Sequence, residues 1–375
     1  MPGKTRDLTV SEARKNLASN NLQDSGRSIK KPFFMIFLLV LLFSATLAAL
    51  VLGAVGIGWK NVFTLLFDSL PFYEHPEAPG IAPVYRDILI QIRVPRVLLA
   101  AAVGSSLAVA GAVFQGLFRN PMADPYVIGI SSGAALGAVF AMLGGFQLAL
   151  GGFGAVPLFA FFGGMATITL VYSMARVGRA VPVMTLLLAG IAISSFLSAL
   201  VSLLTYFAGE RLHQVVFWLM GGLGGATWHQ VKVMVPYALA GYICVSLFSR
   251  ELNAMLLGEE TARNLGVDTE KVKKYLLAGA SLLVAAAVST SGIIGFVGLV
   301  VPHFVRLVAG PDHRFLLPAS AVLGGSLLIA TDTLARIVIA PSELPVGIIT
   351  ALIGAPMFVY LLKKRRQLRY FGGGG

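Results

Sequence analysis

Along most of this chain, apolar and polar positions do not alternate; they separate into long apolar runs divided by short polar breaks. A hydrocarbon layer about 30 Å thick takes roughly 20 helical residues to cross. Counting apolar runs between charges and Gly/Pro breaks therefore predicts ten spans, near 33–57, 95–117, 126–144, 155–175, 182–208, 231–249, 275–290, 293–309, 316–340 and 345–362. The third, seventh and eighth are short or interrupted. The pattern describes an all-α polytopic membrane protein: a polar tail over 1–31, a membrane domain over 32–366 broken by a polar segment at 250–274, and a short tail over 367–375. The first 31 residues lead straight into an apolar run with no small-residue cleavage site, so an uncleaved anchor is expected rather than a signal peptide.

Composition sharpens this picture. Apolar residues make up 57% of the 375 and charged residues only 12%, about half the roughly 25% of a soluble domain. An ordinary water-soluble enzyme is excluded. The lone Cys244 excludes a disulfide framework and a cysteine metal cluster, and the five histidines show no ligand spacing, so no metal site and no cofactor are expected. With the N-terminus inside, 22 of the 29 Lys and Arg fall in inner segments, and the seven outer ones are matched by seven acids. Cytoplasmic loops retain positive charge, which places both termini in the cytoplasm. A basic inner surface against anionic lipid accounts for the net charge of +12, so nucleic acid is not implied.

Two stretches resemble one another. GAVFQGLFRNPMADPYVIGISSGAALGA (111–138) and GIIGFVGLVVPHFVRLVAGPDHRFLLPASAVLGG (292–325) each carry a Gly-aromatic-Gly-Leu run, a break containing Pro, and an apolar segment with small residues. Spans 2–5 start outside and spans 7–10 start inside, so the halves form an inverted repeat. Interrupted helices in inverted repeats point to transport, because irregular backbone at membrane depth survives only where it is buried or lines a cavity. In span 5, Ser195, Ser198, Ser202 and Thr205 step by three and four onto one helix face. Asp332 stands four residues before Arg336, the spacing of a local ion pair.

Three segments make the assignment specific: IRVPRVLLAAAVGSSLAVAGAVFQGLFRNPMADPYVIGISSGAALGA, LNAMLLGEETARNLGV, and GIIGFVGLVVPHFVRLVAGPDHRFLLPASAVLGG followed by ELPVGIITALIGAPMFVYLL. In order, over about residues 33–366, they resemble the FecCD-type permeases of ABC importers, which take up iron chelates and vitamin B12. WLMGGLGGATW (218–228) is similar to the B12-type members. The resemblance implies a homodimer or paralogous pair around a central path, two cytosolic ATPase subunits, an extracytoplasmic binding protein, and residence in the cytoplasmic membrane. No G-x-x-x-x-G-K-[ST] occurs, so the chain has no nucleotide site of its own and is not itself an enzyme.

The resemblance also assigns roles. Leu256, Leu257, Gly258, Glu259, Glu260, Arg263, Leu265 and Gly266 correspond to the coupling helices that sit in the ATPase cleft, with the leucines as apolar knobs and the charged residues as exposed members. Arg93, Arg96 and Arg336 match arginines that meet glutamates of the binding protein. The path is expected along Ser195, Ser198, Ser202, Thr205 and Thr350, with an inner gate at Asn120 and Met122 and a second at Val183 and Met184. There, hydroxyl residues of B12-type members are replaced by VPVMT, so an apolar plug is expected. The competing reading is an ion-coupled secondary transporter, for which Asp332 would be the obvious acid. An intramembrane enzyme finds no HExxH and no paired catalytic carboxylates.

Overall fold

The computed structural model describes residues 31–53, 55–68, 83–146, 154–178 and 180–371. The tail up to residue 30, the last four residues, and the stretch carrying Glu74, His75 and Glu77 lie outside them. In chain order the helices are α1 (Lys31–Val51), α2 (Trp59–Asp68), α3 (Pro83–Leu117), α4 (Ile130–Gly144), α5 (Ala155–Ala175), α6 (Val183–Tyr206) and α7 (Leu212–Leu219). There follow α8 (Trp228–Leu247), α9 (Ser249–Leu256), α10 (Glu259–Asn264), α11 (Thr269–Ser291), α12 (Val297–Ala309), α13 (His313–Ile337) and α14 (Val346–Phe371). Seven are long and apolar enough to cross a membrane: α1, α3, α5, α6, α8, α11 and α13. The short apolar α4 and α12, with Val346–Tyr360 of α14, complete the ten expected spans. The last helix continues to Phe371, five residues beyond the expected edge of the membrane domain.

The buried centre is α3, packed against α8, α11, α12 and α13. Close approach there depends on glycine. A Cβ at Gly104 would collide with the carbonyl of Gly324 on α13, and one at Gly111 with the carbonyl of Gly298 on α12. Between membrane helices such small-residue contacts replace the hydrophobic driving force that lipid removes. Before this core, α3 runs as a π-helical turn over Ile88–Arg93. Trp228 Nε1 donates to the Ile90 carbonyl at 2.9 Å, satisfying an acceptor at that distortion. Trp228 opens α8 behind a capping box made by Thr227 and Gln230.

One end of the bundle carries α9, α10 and the starts of α11 and α13; the other carries Arg96, the end of α13 and the start of α14. Helix α3 ends beside His313 at the first of these, and α13 runs back to Arg96. The short helix α4 finishes at the Arg96 end, where Arg211, just beyond α6, donates to the carbonyls of Met142 and Leu143. The short helix α12 begins after Gly292, which packs on Trp218 and Gly221 at that same end, and runs the opposite way. Each short helix follows an irregular break. Asp124 caps a 3-10 turn over Pro125–Ile128 before α4, accepting the Tyr126 N–H at 2.9 Å, and Gly292–Phe296 precedes α12. Pro125 of the first break meets Gly298 beyond the second. This is the inverted arrangement that the repeat predicts.

Candidate functional site

The polar segment 250–274 folds as two short helices and the first turn of a third. Helix α9 buries Leu252 and Met255 against the core and ends at Gly258, whose φ of +117° admits glycine without strain. Helix α10 then presents Glu259 and Glu260 in its first turn and Arg263 in its last, charges matched to the helix dipole. Gly266, at φ +86°, turns the chain into α11, where Asp268 accepts the Lys271 N–H at 3.2 Å. The result is a blunt projection tipped by Leu257 and Leu265, which are 68% and 65% exposed. Leu256 is half-buried. Glu260 and Arg263 are exposed as expected, whereas Glu259 is turned inward to Lys273, Oε2 to Nζ 2.7 Å.

Lys273 drew no role from the sequence beyond one inner-surface charge, yet it is the buried centre of this end. Its ammonium donates to Glu259 (2.7 Å), Glu270 (3.0 Å) and the carbonyl of Val181 (3.2 Å). Glu270 also accepts the Val181 N–H at 3.0 Å and pairs with Arg263 at 3.2 Å. The segment therefore touches the loop that leads into α6 and the expected apolar plug. It also approaches the loop after α3: a Cβ at Gly258 would lie 3.7 Å from Arg119 Nη1. Arg119 itself has φ +48°, uncommon for a residue with a side chain, directly before Asn120.

Of the residues expected to form a gate, Asn120 is exposed and its Oδ1 accepts the Met122 N–H at 3.0 Å; Met122 is 46% exposed. Met184 is exposed and Val183 half-buried at the start of α6, behind Pro182. Along α6, Ser195, Ser198 and Ser202 lie on the exposed side and Thr205 is half-buried. Ser202 and Thr205 donate to carbonyls of their own helix at 3.0 and 2.7 Å. Ser198 Oγ stands 3.5 Å from Ser132 Oγ of α4. Thr350 is buried and donates to the Gly347 carbonyl at 3.1 Å, the acceptor one turn back in α14. Nothing in the sequence singles out Phe296. It has φ +68° at the break before α12 and packs against Gly354 of α14, a strained conformation set by the meeting of two distant segments.

At the other end the three arginines expected to face a partner are turned inward. Arg93 donates to the carbonyls of Leu50, Val51 and Val55, and Arg336 to that of Ala49 at 3.2 Å. The cause is the end of α1, whose last carbonyls have no partner within the helix. Arg96 forks onto Asp332 at 2.9–3.1 Å and reaches Glu343 at 2.9 Å. Arg336 pairs with Asp332 at 3.3 Å, the local pair that the sequence spacing predicts. Asp332 is thus held between two guanidinium groups; of the five charged side chains only Glu343 is exposed to any extent.

Comparison with known proteins places this arrangement. The chain is 48% identical over 293 residues to the cobalamin import system permease BtuC of Halobacterium salinarum, covering 78% of each chain. It is 41% identical to the hemin transport system permease HmuU of Yersinia pestis over 342 residues, 89% of this chain and 96% of that one. A solved structure of an inward-facing ABC transporter assigned to the metal-chelate type superposes with a TM-score of 0.75 at 33% identity, covering 89% of this chain and 99% of the other. The FecCD transport family matches residues 38–364. The match runs from within α1 through the other nine apolar helices, both irregular breaks and the projecting segment between α8 and α11, and the chain belongs to the FecCD transport family.

Proposed function

We propose that the chain works as the membrane-spanning subunit of an ATP-driven importer that carries a bulky metal chelate (cobalamin, haem or a ferric siderophore) into the cytoplasm. The observation that carries the reading is the projection at 256–266: two exposed leucines flanked by charges, on a chain that has no phosphate-binding loop, are a surface made to be gripped by a separate ATPase. Two such ATPases serve a dimer. Helix α6 supports a dimer, since the isolated subunit leaves Leu188, Ile191, Phe196 and Leu203 exposed beside Ser195, Ser198 and Ser202. A second copy across that face would enclose a weakly polar path, which suits an amphipathic chelate that must not stick.

The excess of Lys and Arg toward the 250–274 end supports a cytoplasmic position for that end and for both termini. The opposite end then receives the extracytoplasmic binding protein. Arg96 is its natural contact, because a partner carboxylate can replace the half-exposed Glu343, whereas Arg93 and Arg336 are held by the carbonyls of α1. The test is reconstitution with ATPase and binding protein in liposomes and measurement of cyanocobalamin, haemin and ferric-siderophore uptake. ATP-dependent uptake of one of them is expected, lost in Leu257→Asp with Leu265→Asp. Uptake driven by an ion gradient without ATPase would favour a secondary carrier.

A further inference from the structure

The junction around Lys273 has a property that neither family membership nor charge counting requires. An ammonium has three donors, and here each goes to a different element: Glu259 on α10, Glu270 on α11, and the Val181 carbonyl in the loop before α6. Val181 is gripped twice, since its N–H is taken by Glu270 as well. Just before Val181, Val177 and Ala180 exchange both backbone hydrogen bonds at 2.9 and 3.1 Å. Pro182 follows, with φ fixed near −64°, and α6 begins at Val183. Val181 thus stands two residues before the start of α6 and three before Met184.

We propose that Lys273 is the positioning residue through which a displacement of the 256–266 projection reaches the inner end of α6. Its ion pair with Glu259 and its hydrogen bond to the Val181 carbonyl make α10 and the Ala180–Pro182 stretch move as one body. Burial makes the link stiff: the Lys273 side chain is 4% exposed, so water cannot replace its partners one at a time. The four charges of the junction, Lys273, Arg263, Glu259 and Glu270, cancel, so it moves without carrying net charge. This rests on the importer reading above, in which the projection is the part that an ATPase moves.

The experiment uses the full chain with Cys244→Ala and a reporter, Met184→Cys, assembled with its ATPase in liposomes; maleimide labelling of position 184 is followed without nucleotide, with ATP, and with ATP plus vanadate. With Lys273 present, nucleotide is expected to change the labelling rate roughly tenfold, as for a gate moved between two states. In Lys273→Met the assembled complex still hydrolyses ATP, and the labelling change falls below about twofold; Lys273→Arg, which keeps the charge, restores part of it. Full nucleotide response in Lys273→Met overturns the proposal. Glu259→Gln, which leaves Lys273 paired with Glu270, covers the case in which Lys273→Met does not assemble: a severalfold smaller response supports the link, and an unchanged one overturns it. Absence of any nucleotide response in the Lys273 background would sink the importer reading itself, and the link with it.

Discussion

At the scale of single residues, the costliest groups to disturb are those that hold charge away from water. Arg96 is the principal partner of Asp332, and both side chains are at most 5% exposed. Arg96→Met leaves Asp332 with only the more distant Arg336, and because breaking a buried pair strands the other charge, a loss of about 3 kcal/mol in stability is expected. Glu343→Gln, at the exposed edge of the same cluster, should cost under about 1 kcal/mol. Melting of the detergent-solubilised protein separates the two; equal effects would mean that the cluster is wetter than its geometry indicates. The sequence revealed only part of this cluster. Asp332 and Arg336 are four apart on one helix and can be paired by counting, but Arg96 lies 236 residues from Asp332, and no local spacing joins them. Lys273 was illegible for the same reason, since its Val181 contact spans 92 residues.

At the scale of helices, packing and capping set the expectations. Gly111 faces the Gly298 backbone without space for a Cβ, so Gly111→Val must part α3 from α12 or bend one of them. Overpacking of this kind costs about 1–3 kcal/mol, and a lowered melting temperature without loss of helical circular dichroism is expected. Asp312 ties three elements at the end that carries α9 and α10: it caps α13 through the Arg314 N–H, accepts from Asn253 of α9 at 2.7 Å, and stands 3.7 Å from Lys31 of α1. Partial burial pulls its carboxyl upward, but these donors and the charges of Lys31 and Arg314 outweigh it and hold it below the usual carboxylate range. A depressed carboxylate stabilises above its unfolded value, near 4, and loses that contribution as pH falls through its own lower value. The melting difference between the parent protein and Asp312→Asn should therefore be largest at neutral pH and vanish in acid; a difference that persists there would assign the effect to shape rather than charge. The ten spans were readable because apolar runs need no partner to be recognised. The strain at Phe296 and the π-turn at Ile88–Arg93 were not, because both arise where helices from distant parts of the chain meet.

At the scale of the molecule, the exposed α6 gives the proposed dimer its testable consequence. Met184 is 67% exposed in the single subunit, so its replacement should leave the fold intact. If Val183 and Met184 close the inner mouth by apolar contact across two subunits, polarity there hydrates the constriction. Val183→Ser with Met184→Ser is expected to assemble normally and to leak a small dye from liposomes without ATP; a tight double variant would move the gate to Asn120 and Met122. Another consequence concerns the order in which the molecule is made. Helix α1 is largely exposed and is fastened at its two ends: at the start by Lys31 on Asp312 and Phe34 on Phe315, and at the finish by Arg93 and Arg336. Arg93 follows Leu50 by 43 residues, but Arg336 follows Ala49 by 287. At synthesis rates of roughly 5–20 residues per second, α1 waits in the bilayer for tens of seconds, held by Arg93 and by the packing of Ala49 and Leu50 in one cluster with Leu89 and Val97, before its other fastenings leave the ribosome. Anything that lengthens that wait leaves the first span free to pair with a neighbouring nascent chain.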